Sequence, residues 1–81
     1  MTRTEIEQIV KEFLIEELEI EPEKITMEGR MKEDIGIDSL DMVDVAVIVD
    51  KKFGFKIQPD EMKNTVTLND FCNYIEQKIA K

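Results

Sequence analysis

The sequence of 81 residues predicts an all-α fold: a small four-helix bundle of three longer helices and one short helix, with a long loop between the first and second helices. Three observations lead there. Apolar residues recur at helical spacing in three separate stretches. Each stretch opens on a capping signal, a Thr or Asp with an acid three residues on. The one stretch that also suits a strand by its β-branching and alternation, "VDVAVIV", has no convincing second strand to pair with.

The first helix carries Ile6, Ile9, Val10, Phe13, Leu14 and Leu18 on one stripe, with Thr4 as the expected N-cap and Glu7 in the capping-box position. Pro22 marks a stop or turn. "EPEKITMEGRMKEDIGI" has no sustained period. It reads as the long loop, with at most a short helical turn, anchored by Ile25, Met31 and Ile35. A loop of this length in a small domain points to function. The second helix is expected from Asp38 or Ser39 to about Phe53, ahead of Gly54, with Lys51 and Lys52 in its last turn where cations suit the helix dipole. "FKIQPDEMKN" leads into the short helix with Pro59 in its first turn, and Phe55 and Ile57 pack the preceding loop. The last helix starts after Thr67, with Asp70 three residues on. Its stripe is Leu68, Phe71, Cys72, Ile75 and Ile79, and Tyr74 lies beside the stripe, partly buried.

Composition narrows the function classes. At 42% hydrophobic residues the chain can build a core, and residues 1–81 are expected to form a single domain. The net charge of −8 disfavours nucleic acid and anionic membranes and favours basic protein surfaces. The N-terminus lacks the pattern of a signal peptide, and the longest apolar run, "VAVIV", is far too short for a membrane span. A lone cysteine, Cys72, allows no intrachain disulfide and suggests a reducing, cytoplasmic setting; on the core stripe it reads as buried and inert. No histidine is present, so a zinc site would need an unusual all-carboxylate ligand set. A calcium loop counted from Asp34 fails, because its sixth and twelfth positions hold Ser39 and Val45 instead of Gly and Glu.

The second helix has two apolar faces. At about 100° per residue, Met42, Val45, Ala46, Val49 and Phe53 form the core stripe, and Leu40, Val43 and Val47 lie roughly opposite. Asp44 and Asp50 flank that second stripe, with Asp41 further round. Either the long loop covers the second stripe, or the stripe is a docking face whose acids meet Arg and Lys on a partner. Ser39, ringed by Asp34, Asp38, Asp41 and Asp44, likewise has two readings. It can cap the helix. Asp38 is an equally good cap, and then Ser39 falls in the first turn with its hydroxyl outward, where a phosphoester would meet free backbone N–H groups. The nearby acids oppose that gain and instead help recruit a basic modifying enzyme. A serine nucleophile is disfavoured by the absence of histidine and of a G-x-S-x-G motif.

"DIGIDSLDMVDVAVIVDKKFGF" resembles the segment of acyl carrier proteins built around (D/E)-x-G-x-D-S-L, and the order of elements resembles that family over nearly the whole chain. The resemblance implies a carrier, not an enzyme. In this reading Ser39 receives 4′-phosphopantetheine from coenzyme A, and acyl groups ride on that arm as thioesters. Asp38 matches the acid that assists transfer of the arm. Leu40, Val43 and Val47 match exposed docking positions, and Asp41, Asp44 and Asp50 match acidic recognition positions. Small core residues (Val45, Ala46, Val49) would accommodate an acyl chain, with Met31 and Met62 at the mouth of the cavity. The implied partners are a phosphopantetheinyl transferase and the acyl-loading, condensing and other acyl-processing enzymes, met through basic patches. The expected protein is a free-standing cytoplasmic monomer, without nucleic acid or stable membrane insertion. Its pathway would be fatty acid, polyketide or specialised lipid biosynthesis; a peptidyl or aminoacyl carrier, or an arm-less interaction domain, is the alternative. One departure stands out. Where fatty-acid members continue the acidic run, this chain has Lys51 and Lys52, and "KKFGFK" is locally basic. A specialised pathway or simple lineage variation would each account for it.

Overall fold

The computed structural model describes residues 1–79; Ala80 and Lys81, the last two residues of the expected domain, lie outside the described residues. In chain order the helices are α1 (Arg3–Glu16), α2 (Ser39–Phe53), α3 (Pro59–Met62) and α4 (Leu68–Ile79). Two short helical turns lie between α1 and α2, a 3-10 turn at Pro22–Lys24 and a π-type turn at Met31–Ile35. This is the expected arrangement of three longer helices and one short one, and no strand forms among the described residues.

The apolar stripes meet in one core. Ile6, Val10, Phe13 and Leu14 of α1 are buried against Leu68, Phe71, Cys72 and Ile75 of α4, and Val45 and Val49 of α2 join them. Burial of large apolar side chains, each contributing about 1.5–3 kcal/mol, fixes the mutual positions of these helices. Helix α4 begins as its sequence predicts. The Thr67 hydroxyl accepts from the Asp70 N–H (3.1 Å), and the Asp70 carboxylate accepts from the N–H groups of Thr67 (3.2 Å) and Val66 (3.3 Å). The Thr67 and Val66 amides hold the Asp70 carboxyl below its ordinary range, the Thr67 amide most of all.

The start of α1 corrects one expectation. The cap is Thr2 rather than Thr4, and the box closes on Glu5 rather than Glu7, with the Glu5 N–H donating to the Thr2 hydroxyl (3.2 Å) and the Thr2 N–H to the Glu5 carboxylate (2.9 Å). Both T-x-x-E pairs satisfy the local rule. The earlier one places Arg3 on the helix, where its guanidinium reaches α4. It donates to the Asn69 side chain (2.7 Å), the Asn73 side chain and Glu76 (3.2 Å), while also pairing with Glu7 (2.9 Å). A tertiary anchor therefore selects between two equivalent caps. The helix also ends earlier than Pro22 suggests: Glu19 takes a left-handed conformation (φ 56°), and the Ile20 N–H closes back on the Leu14 carbonyl (3.0 Å).

The long loop is more ordered than its lack of period implies. Backbone bonds stitch it to the segment entering α4: Met31 N–H to Val66 O (2.9 Å), Leu68 N–H to Gly29 O (3.0 Å) and Asn69 N–H to Met27 O (2.9 Å). At Gly29 a Cβ would lie 2.7 Å from the Thr26 hydroxyl and 3.3 Å from the Thr26 carbonyl oxygen, so any larger residue would force Thr26 to shift. Met31 and Ile35 are buried and Ile25 half-buried, as expected of the anchors. Ile37, which periodicity does not single out, is buried as well. The consequence for function is that the loop leading into α2 is tied to the segment leading into α4.

Candidate functional site

The start of α2 is built by local hydrogen bonds. Asp38, in extended conformation, accepts from the Asp41 N–H (2.9 Å), and the Asp41 carboxylate accepts from the Asp38 N–H (3.3 Å). This reciprocal box satisfies two of the helix's free donors. Asp38 is thus the cap, and Ser39 is the first helical residue, exposed. The amides of Ser39 and Leu40 remain at the positive end of the helix dipole with no intrahelical partner. Just upstream, Gly36 turns the chain at φ 91°, a left-handed conformation that glycine adopts without cost. The Ile37 N–H bonds to the Met31 carbonyl (2.7 Å), which fixes the approach to Asp38.

Ser39 stands at the edge of a groove of about 350 Å³. Its apolar wall comes from Met31, Ile37, Met42, Met62 and Val66, drawn from the loop, α2, α3 and the segment before α4. Met31 and Met62 thus line the same groove as Ser39. Arg30, Lys32 and Glu33 supply the charged rim. Arg30 is paired with Glu33 (2.7 Å) and Asp34 (3.4 Å). Asp34, one of the acids around Ser39 in sequence, does not line this groove. It accepts from the Arg30 N–H (2.9 Å), and that amide above all holds its carboxyl below the ordinary range.

The outer face of α2 is open. Leu40, Val43 and Val47 are 78%, 63% and 51% exposed, so the loop does not cover them. Asp44 and Asp50 are exposed beside them, and Asp41 is half-buried. On the opposite face Val45 and Val49 are fully buried, while Met42, Ala46 and Phe53 are half-buried. The structure thus brings Asp38, Ser39, Leu40, Asp41, Val43, Asp44, Val47 and Asp50 onto the start and outer side of one helix.

Sequence reasoning misses the groove's other contributors, Arg30, Lys32, Glu33, Ile37, Thr65 and Val66. Their proximity to Ser39 arises from the backbone stitching of loop to α4, which leaves no periodic signature. The remaining reactive group, the Cys72 thiol, is buried on α4, and burial pushes its pKa up to about 11. Among the described residues no three acids or cysteines gather as a metal-ligand set, and no described helix is long and apolar enough to cross a membrane.

Comparison with known proteins bears on what this arrangement serves. A family model described as the phosphopantetheine attachment site matches residues 8–75. An acyl carrier protein of Campylobacter curvus is 35% identical over 68 residues, spanning 84% of this chain and 88% of the relative. The acyl carrier proteins of Thermosynechococcus vestitus and Thermotoga maritima are 32% identical over 80 residues and 33% over 79, covering 99% and 98% of both chains respectively. With a family model and relatives matching nearly end to end, on a helical bundle with an exposed serine at the head of its second long helix, the chain belongs to the acyl carrier protein family.

Proposed function

We propose that this chain carries acyl intermediates as thioesters, with Ser39 as the attachment point, in fatty acid biosynthesis or a related polyketide or specialised lipid pathway. Membership of the family entails a covalent 4′-phosphopantetheine group, a carrier role without catalysis of its own, and dealings with a phosphopantetheinyl transferase and acyl-processing enzymes. When attached, the group supplies a terminal thiol on a long flexible arm. The observation that carries the assignment to Ser39 is its position: Asp38 takes the capping role, and the neighbouring hydroxyl is left exposed at the head of α2.

The residues around Ser39 fit such a group. The amides of Ser39 and Leu40 favour a phosphodiester at the helix start. Lys32 lines the same groove as Asp38 and Ser39 and supplies a cation there. Met31, Ile37, Met42, Met62 and Val66 form an apolar surface suited to an arm or acyl chain folded back on the protein. The open face of Leu40, Val43 and Val47, flanked by Asp41, Asp44 and Asp50, suits brief docking against basic patches on partner enzymes. In this reading residues 1–81 act as one carrier domain in the cytoplasm, and tethering raises the effective concentration of the cargo at successive active sites.

The test is mass measurement. The apo-protein incubated with coenzyme A and a phosphopantetheinyl transferase is expected to gain one phosphopantetheine, and Ser39→Ala to gain none. A wild type that gains nothing with several transferases, or a Ser39→Ala protein that still gains the mass, overturns the assignment. Mass analysis of protein taken from its native cells then reads the cargo, separating an acyl from an aminoacyl or peptidyl carrier.

A further inference from the structure

The docking face of α2 does not end where its acids end. At about 100° and 1.5 Å per residue, Lys51 falls within the same arc of about 100° as Leu40, Val43, Asp44 and Val47, one turn beyond Val47. Asp44 and Lys51, both exposed, are two turns apart on that arc, about 10 Å along the axis. Lys52 projects about 100° away from Lys51, off the strip. Neither lysine is spent inside the molecule: the ion pairs among the described residues use Arg3, Arg30, Lys63 and Lys78. Nor does helical spacing give Lys51 an acid, because the positions three and four before it are Ile48 and Val47. Around the end of α2, Asp50 stands alone against Lys51, Lys52 and Lys56.

We infer that this strip fits a bipolar partner groove on an acyl-processing enzyme, with a cation opposite Asp44 and, about 10 Å further on, a carboxylate opposite Lys51, both along one edge of an apolar seat for Val43 and Val47. The inference rests on the carrier reading above and deepens it by specifying the partner's charge pattern. A uniformly basic groove would place a cation against Lys51, and like charges in contact penalise docking. A second copy of this chain, packed antiparallel, would also match acid to base. The net charge of −8 opposes that association, so a partner enzyme is the occupant.

The test uses two enzymes of its own organism, the condensing enzyme acting on the acylated holo-protein and the phosphopantetheinyl transferase acting on the apo-protein. At low ionic strength Asp44→Lys and Lys51→Glu are each expected to lower kcat/KM with the condensing enzyme by about three- to tenfold. The loss should fade toward about 0.5 M salt, as screening shortens below about 5 Å. Lys52→Glu shares the helix-dipole role of Lys51 but not its face, and is expected to change kcat/KM less than twofold. A Lys51→Glu protein that is faster than wild type, or unchanged with both enzymes, overturns the inference. So does a wild-type dimer in sedimentation that Lys51→Glu dissolves. Failure of the carrier reading is separate: there the wild-type protein takes up no arm at all.

Discussion

Replacing Tyr74 by Phe removes one oxygen and tests what holds α3 against α4. The Tyr74 hydroxyl accepts from the Gln58 N–H (3.1 Å) and donates to the Glu61 carboxylate (3.0 Å), tying both ends of α3's single turn to α4. Burial pushes its pKa up, so it remains a donor throughout the neutral range. Phenylalanine keeps the apolar body and the edge contact with Phe55 (centroids 5.9 Å apart, planes at 68°). The loss is therefore confined to two hydrogen bonds. A neutral bond is worth about 1 kcal/mol net, and one to a charged group about 1.5–3 kcal/mol when shielded. Glu61 is exposed and keeps Lys78 (2.8 Å) and water, so its bond counts for less than the lower bound. The expected loss is about 1–2 kcal/mol, which lowers Tm by about 4–8 °C per kcal/mol in a domain of this size. Urea unfolding with an unchanged m value reads the global loss, and amide exchange at Glu61 and Met62 should rise in parallel. Because α3 contributes Met62 to the groove beside Ser39, the same variant should loosen that wall. A loss below about 0.3 kcal/mol with unchanged exchange in α3 would refute the reasoning.

Two further outcomes follow from charge and burial. The backbone amides of Thr67 and Val66 depress the Asp70 carboxyl in the folded state, as the Arg30 amide does for Asp34. A depressed folded pKa contributes stability above the unfolded value and loses it as pH falls through the folded one. The urea midpoint should therefore hold from neutrality to about pH 5 and drop below about pH 4. Asp70→Asn should cost less than about 1 kcal/mol at neutral pH and make the acid drop shallower; an identical acid profile in the variant would contradict this. Cys72, buried with its pKa up to about 11, should react with a thiol reagent at pH 7.5 only as fast as the protein opens. Labelling of the native protein at the rate of a free cysteine would contradict the packing of α4.

The sequence by itself determined the features that depend on neighbours within one helix. Asp38 and Asp41 stand three apart, so their capping box was legible, and with it the separation of cap from exposed hydroxyl at Ser39. The two stripes of α2 follow from helical spacing, and the open Leu40, Val43 and Val47 with buried Val45 and Val49 match them. The box Thr67–Asp70 was legible for the same reason. Tertiary structure alone decided what depends on distant partners. Thr2 and Thr4 offer equal local caps, and Arg3 reaching Asn69 and Glu76 on α4 chose between them. The loop before α2 has no period because its order comes from backbone bonds to residues 66–69. Those bonds carry no side-chain code, yet they gather Met31, Ile37 and Val66 beside Ser39. Local hydrogen bonds and periodicity are written in adjacent residues; a groove walled by four separate segments exists only once the chain has closed on itself.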